Sequence, residues 1–140
     1  MIKSRTHWSR NNKIGLRNFK EASDLHDILK TQLVRMLRRK HKDNHNVPIY
    51  TEYNPERPNE DYPDIWLKIK QNIIVYEIQE QVSEKWTKQI LKKYEDVDLI
   101  IVPLKEVMKN WLIKMFPTEG DDIEINPIKS LREVLEVYVI

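Results

Sequence analysis

Asp64, Glu77 and Gln79 are the residues of this chain best placed to do chemistry together. Two carboxylates brought to one point can hold a hard divalent cation, Mg²⁺ or Mn²⁺, and such an ion beside a phosphodiester offsets its negative charge and acidifies a water. A single hairpin supplies the convergence. Ile65–Lys70 and Ile73–Gln79 are β-prone runs, and Gln71 and Asn72 between them suit a two-residue turn. That turn predicts Lys70 opposite Ile73, Lys68 opposite Val75, Trp66 opposite Glu77 and Asp64 opposite Gln79. Period two sets these residues on one face and Ile65, Leu67, Ile69, Ile74, Tyr76 and Ile78 on the other. The second face is apolar throughout, so it is the expected core side and guards the register, and the acidic face is the expected functional side.

The rest of the chain must hold that hairpin. With 140 residues and 40% hydrophobic content, one domain with a genuine core is expected. The absence of cysteine removes disulfides and thiolate metal sites. No apolar run approaches the roughly 18 residues that span a bilayer, and no signal peptide is evident, so no membrane association and an intracellular, cytoplasmic setting are expected. The net charge of +2 conceals an asymmetry. Residues 1–45 carry 12 Lys and Arg against 4 acids, whereas residues 46–140 carry 12 against 18. A basic first third and a carboxylate-rich centre suit a polyanion held by its phosphates while cations occupy the acids; a solvated basic tail is the plainer alternative.

Residues 1–20 read as a basic arm with little apolar periodicity, and residues 21–140 as the single domain. Leu25, Ile28, Leu29, Leu33, Met36 and Leu37 recur at helical spacing from Ser23, a candidate N-cap, to Lys40. A strand over Val47–Tyr53 and a polar loop over Asn54–Asp61 precede the hairpin. Ser23 aside, Ser83 is a second candidate cap, opening a helix that runs to about Glu95 with Trp86, Ile90, Tyr94 and Val97 as its stripe. Asp98–Leu104 is a continuous apolar strand, expected to be buried and parallel to its predecessor. Val107, Met108, Trp111, Leu112 and Met115 mark a further helix ended by Pro117, and the tail from Ile128 stays open, with helix to Leu135 and an extended end over Val137–Ile140 as one option. The expected fold is α/β, in the order α-β-β-β-α-β-α, with a mixed sheet flanked by helices.

On these residues the chain resembles the PD-(D/E)XK nuclease superfamily, whose restriction-endonuclease-like fold carries Pro-Asp and Glu-x-Lys on a strand hairpin. Pro63-Asp64 and Glu77-Ile78-Gln79 occupy those positions. The set His26, Lys30, Glu52, Pro63-Asp64-Ile65 and Glu77-Ile78-Gln79 is similar, in order, to the competence CoiA-type branch, and the likeness covers residues 21–104. The resemblance implies a metal-dependent deoxyribonuclease, of a size that suits a viral or mobile-element genome and hence a host cytoplasm. Asp64, Glu77 and the carbonyl of Ile78 would be its cation ligands, with Gln79, Glu52, His26 and Lys30 completing the catalytic set. A Holliday-junction resolvase-like homodimer is one alternative, and a nuclease-fold DNA-binding protein without catalysis is another. Gln79 stands where the superfamily has lysine; it can orient a water and cannot take its proton.

The individual residues have plainer readings too. His26 and Lys30 share a helix face and reach either phosphate or the carboxylates, or else lie on an exposed flank. Glu52 is either an outer contact to the site or an edge-strand residue facing solvent. Lys68 is either a relocated lysine or a solvated residue near the turn. Trp66 either stacks on a base or packs across the strands, while Trp86 and Trp111 are expected in the core. Arg35, Arg38, Arg39, Lys40 and Lys42 form a candidate DNA-phosphate clamp, though cations there also complement a helix dipole.

Overall fold

The computed structural model describes residues 24–44, 46–116 and 125–140. The basic arm, the Ser23 cap and Pro117 lie outside them. Helix α1 (Asp24–Lys40) leads to strands β1 (Ile49–Thr51), β2 (Ile65–Ile69) and β3 (Asn72–Gln79), then α2 (Glu84–Lys93), β4 (Asp98–Pro103), α3 (Leu104–Met115), α4 (Pro127–Leu135) and a closing 3₁₀ turn (Glu136–Tyr138). The class is α/β. The sheet is mixed and ordered β1-β2-β3-β4, antiparallel except for the parallel β3–β4 pair.

The central hairpin turns earlier than the sequence predicts. Lys70 and Gln71 form the turn, with Lys70 in the left-handed region at φ 57°, and Asn72 joins β3 opposite Ile69. The ladder therefore pairs Lys68 with Ile73, Trp66 with Val75 and Ile65 with Tyr76. This is a slip of two residues, and an even slip leaves every side chain on its expected face, because the pleat repeats every two. Burial of the apolar face thus fixed parity and left the step to the turn, where a lysine accepts the positive φ that glycine or asparagine usually takes.

Both faces of the sheet are covered. Ile65, Leu67, Ile74, Tyr76 and Ile78 pack against Leu29, Leu33 and Leu37 of α1, Leu104 and Val107 of α3, and Leu131 and Leu135 of α4. The opposite face, expected to be simply the acidic functional side, carries a second, smaller core of Trp66 and Val75 under Ile90 of α2 and Tyr94. Each helix shows the signals that set its ends. Asp24 and Asp27 open α1 while Arg38, Arg39 and Lys40 close it, matching the helix dipole. Ser83 caps α2 by accepting from the Trp86 N–H, and Asn126 caps α4 with Pro127 in its first turn.

Three expectations need correction. β1 is shorter than Val47–Tyr53, because the chain breaks from the sheet at Glu52. β4 is parallel to β3 as expected but lies at the sheet edge, so most of it is half-buried. Trp86 and Trp111 sit half-buried on the rims of the two cores; Trp111 spends its Nε1–H on the Pro127 carbonyl at 3.0 Å, a polar bond that the core interior would not offer. The tail after Leu135 closes as a 3₁₀ turn before an extended Val139, with the Tyr76 hydroxyl donating to the Tyr138 carbonyl. No described helix is long and apolar enough to cross a membrane.

Candidate functional site

The shifted register tightens the acidic pair. Ile65–Tyr76 is the last pair of the ladder, and the same register carried one step further would match Asp64 with Glu77, where the predicted register had set it against Gln79. Asp64 is 8% exposed. Its Oδ2 accepts the backbone N–H of Ile78 at 2.6 Å, tying the entry of β2 to the exit of β3. Its Oδ1 lies 3.2 Å from His26 Nε2, so α1 reaches the hairpin from the main-core side. Burial pushes the His26 imidazole down, but the hydrogen bond and charge of Asp64 outweigh it and leave the ring's pKa raised. His26 thus faces Asp64 with enhanced cationic character.

One turn along α1, Lys30 Nζ sits 2.6 Å from Glu52 Oε1 and 3.8 Å from Asp27 Oδ1. Glu52 is not the solvent-facing edge residue that a longer β1 would make it; it is 3% exposed. The chain takes a left-handed step at Glu52, φ 55°, while its N–H donates to the Pro63 carbonyl at 3.0 Å. Left-handed backbone at a non-glycine residue costs on the order of 1 kcal/mol, and here it buries a carboxylate against an ammonium beside the Pro63-Asp64 segment.

Glu77 is the most perturbed acid. Burial foremost, and then the charge of Asp64, push its carboxyl up to about 8, against the opposing pull of the Tyr94 hydroxyl and Lys93. That hydroxyl lies 3.1 Å from Glu77 Oε1 and 2.7 Å from Asp61 Oδ1. Asp61, 3% exposed, also receives Asn54 Nδ2 at 2.9 Å and Lys93 Nζ at 3.0 Å. Burial alone would raise the Asp61 carboxyl, but these donors outweigh it and hold it below the ordinary range. Burial and the two carboxylates drive the Tyr94 phenol far up, so it keeps its proton.

Of the residues singled out in the sequence, Asp64, Glu77, His26 and the Ile78 backbone are brought together, and Lys30 with Glu52 adjoins them. Gln79 ends β3 opposite Pro103, half-buried and on the Glu77 side of the strand. The candidate clamp lies elsewhere: Arg35, Arg38, Arg39, Lys40 and Lys42 are exposed at the far end of α1. Ten residues of helix separate Lys30 from Lys40, about 15 Å along the axis. Lys68 pairs with Ile73 beside the turn, which separates it from the carboxylates. Trp66 is 3% exposed, opposite Val75 rather than Glu77, with its ring 5.7 Å from Tyr50; it packs across the strands and presents no face for a base.

Asp61, Asn54, Lys93 and the role of Tyr94 were not anticipated. Tyr94 belongs to an apolar stripe, and its one polar atom was the only sign that the stripe ends at a hydroxyl needing partners. Among the described residues, no group of three or more His, Asp or Glu side chains is arranged to hold a metal ion. No family model, curated protein or solved structure matches the chain.

Proposed function

We propose that this chain is a metal-dependent nuclease that hydrolyses DNA phosphodiester bonds, with Asp64 and Glu77 as its cation ligands. The observation that carries the reading is that Asp64, tied across the hairpin to the Ile78 N–H at 2.6 Å, acts with its charge on the neighbouring Glu77 carboxyl, in a partly buried setting where the charge of one disfavours ionisation of the other. A divalent cation resolves that conflict, because it replaces the proton that Glu77 otherwise keeps. The donor set fits such an ion. Carboxylate oxygens retain lone pairs beyond the hydrogen bonds from Ile78 and His26, and a backbone carbonyl at Ile78 adds a hard oxygen. Two carboxylates with few further protein ligands suit Mg²⁺ or Mn²⁺, which keep several waters, better than they suit zinc.

When bound, the ion would supply positive charge beside the scissile phosphate and a more acidic water. The chain's own residues do the rest. The Ile78 N–H fixes one Asp64 oxygen, and the raised His26 imidazole adds cationic character on the α1 side. Lys30 neutralises Glu52, so that acid does not add uncompensated charge. Gln79, on the Glu77 side of β3, offers an amide to orient a water. The basic first third of the chain supplies charge for a phosphate backbone, and nothing in the sequence reads bases, so recognition by backbone or by DNA form is favoured over recognition of sequence.

One feature favours a second reading, a nuclease-fold DNA-binding protein without catalysis: Gln79 cannot act as the cationic residue that the superfamily has there. Cleavage of labelled single-stranded, duplex and four-way-junction DNA with Mg²⁺ or Mn²⁺, with Asp64→Ala beside the parent, separates the two. Cutting that requires both the ion and Asp64 is the expected result. Salt-sensitive binding without cutting in either ion would transfer the proposal to the second reading.

A further inference from the structure

We propose that Tyr94 and Asp61 form a positioning bracket for Glu77, with Tyr94 as the positioning residue for the cation-binding carboxylate. This rests on the reading of Glu77 as a ligand, and it adds to that reading two residues outside the hairpin motifs.

The geometry is that of a relay with a fixed end. Tyr94 carries one phenolic hydrogen and has carboxylate oxygens of Asp61 and Glu77 at 2.7 and 3.1 Å. The shorter contact, to an acid already held by Asn54 and Lys93, anchors the hydroxyl. The same hydrogen is shared with Glu77 through the longer contact, a three-centre donation that holds the Glu77 Oε1 at a fixed point. A hydrogen bond of this kind to a metal-binding carboxylate sets its rotamer, and losing one costs about 10–100-fold in metal affinity elsewhere.

The bracket is itself rigidly held. Tyr94 closes α2, its N–H donating to the Ile90 carbonyl at 3.1 Å, and its ring is 6% exposed in the second core with Trp66, Val75 and Ile90. Asp61 sits in the loop before β2, where the Asn54 side chain spans the loop to reach it and also accepts the Glu56 N–H at 2.9 Å. The second core thereby does more than cover the sheet. It carries a hydroxyl across to the acid at the end of β3, an arrangement in which packing of one layer sets the geometry of the site.

Tyr94→Phe removes the hydroxyl with almost no change in volume and leaves Asp61 with Asn54 and Lys93. Mn²⁺ affinity by calorimetry on parent and variant, without DNA, together with crystal structures of both, tests the bracket. The expected result is a loss of about tenfold or more in Mn²⁺ affinity, with the Glu77 carboxylate turned away from its parental position. Unchanged affinity, or an unmoved Glu77, would overturn the bracket. If the parent itself binds no Mn²⁺, the cation-site reading fails, and the position of Glu77 in the two crystal structures still decides the bracket. A check without any variant is the Tyr94 hydroxyl proton in the parent's NMR spectrum: protection from exchange supports the anchored hydroxyl, and fast exchange overturns it.

Discussion

Asp61 and Glu77 are two acids in contact with the same tyrosine hydroxyl, and their protonation is pushed in opposite directions. Asp61 is the more deeply buried residue, yet three donors surround it and keep it charged. Glu77 shares one donor, faces a second carboxylate, and is driven toward its neutral form. Burial opposes charge on both acids, and the supply of donors decides which of them overcomes it. A buried acid with three donors is a structural part, whereas in the proposed function the acid beside another acid is the one that a cation would complete. That contrast is what distinguishes the loop before β2 from the candidate site at the end of β3.

The largest expected effect lies on the unfinished side. Asp64→Ala should reduce metal-dependent cleavage by at least about a hundredfold while leaving the circular dichroism spectrum intact. Full activity in the variant would place the chemistry elsewhere. On the structural side, Asp61→Ala should cost about 3–4 kcal/mol in urea unfolding, because it strands the buried Asn54 amide and takes from the Tyr94 hydroxyl and Lys93 their shared partner. A loss below about 1 kcal/mol would show that these donors find water instead, and the contrast with Glu77 would collapse.

Glu77→Gln sharpens the comparison through pH. In the folded protein the carboxyl is raised to about 8 from an ordinary value of 4.5, so between these values the folded state holds a proton that the unfolded state has released. The stability of the metal-free parent should fall as pH rises through that window, at up to about 1.4 kcal/mol per pH unit. The glutamine variant lacks this dependence, so it should gain on the parent by up to about 4 kcal/mol between pH 5 and 8.5. Parallel stability curves for the two proteins would mean that Glu77 ionises normally and that no cation is needed to balance it.

The hairpin made much of this legible in advance. Period two along β2 and β3 revealed which side chains share a face, since every residue of the core side is apolar and an odd slip would have turned Glu77 into that apolar core. The step along the ladder was not legible. Lys70 has no intrinsic preference for a positive φ, and only the packed strands make it adopt one. The end of β1 was not legible for a related reason: a strand of β-prone residues ends where contacts of Glu52 with Lys30 and Pro63 pull the chain from the sheet, and no local signal marks that point. The Asp61–Tyr94 contact joins residues 33 positions apart across a loop and a helix end, a pairing that periodicity cannot report. The place of the α1 cations, about 15 Å along the helix from Lys30 at Lys40, follows from helix length, because residues that share a helix need not share an end.

The finest test of the contrast is Lys93→Ala. Lys93 is 45% exposed while its partner carboxylate is buried, so water and salt screen one end of the pair. If Asp61 is held chiefly by Asn54 and Tyr94, losing the ammonium should cost only about 0.5–1 kcal/mol at pH 7, and 1 M NaCl should erase most of that difference. The sign of the pH dependence follows from the lowered Asp61 carboxyl. Its folded pKa lies below its unfolded one, so its contribution is present at neutral pH and is lost as pH falls through the folded value. Parent and variant should accordingly converge in acid. A Lys93→Ala cost as large as that of Asp61→Ala would show that Asp61 depends on a counter-charge rather than on neutral donors. Both acids at Tyr94 would then be the same kind of group, differing only in that one already has its cation.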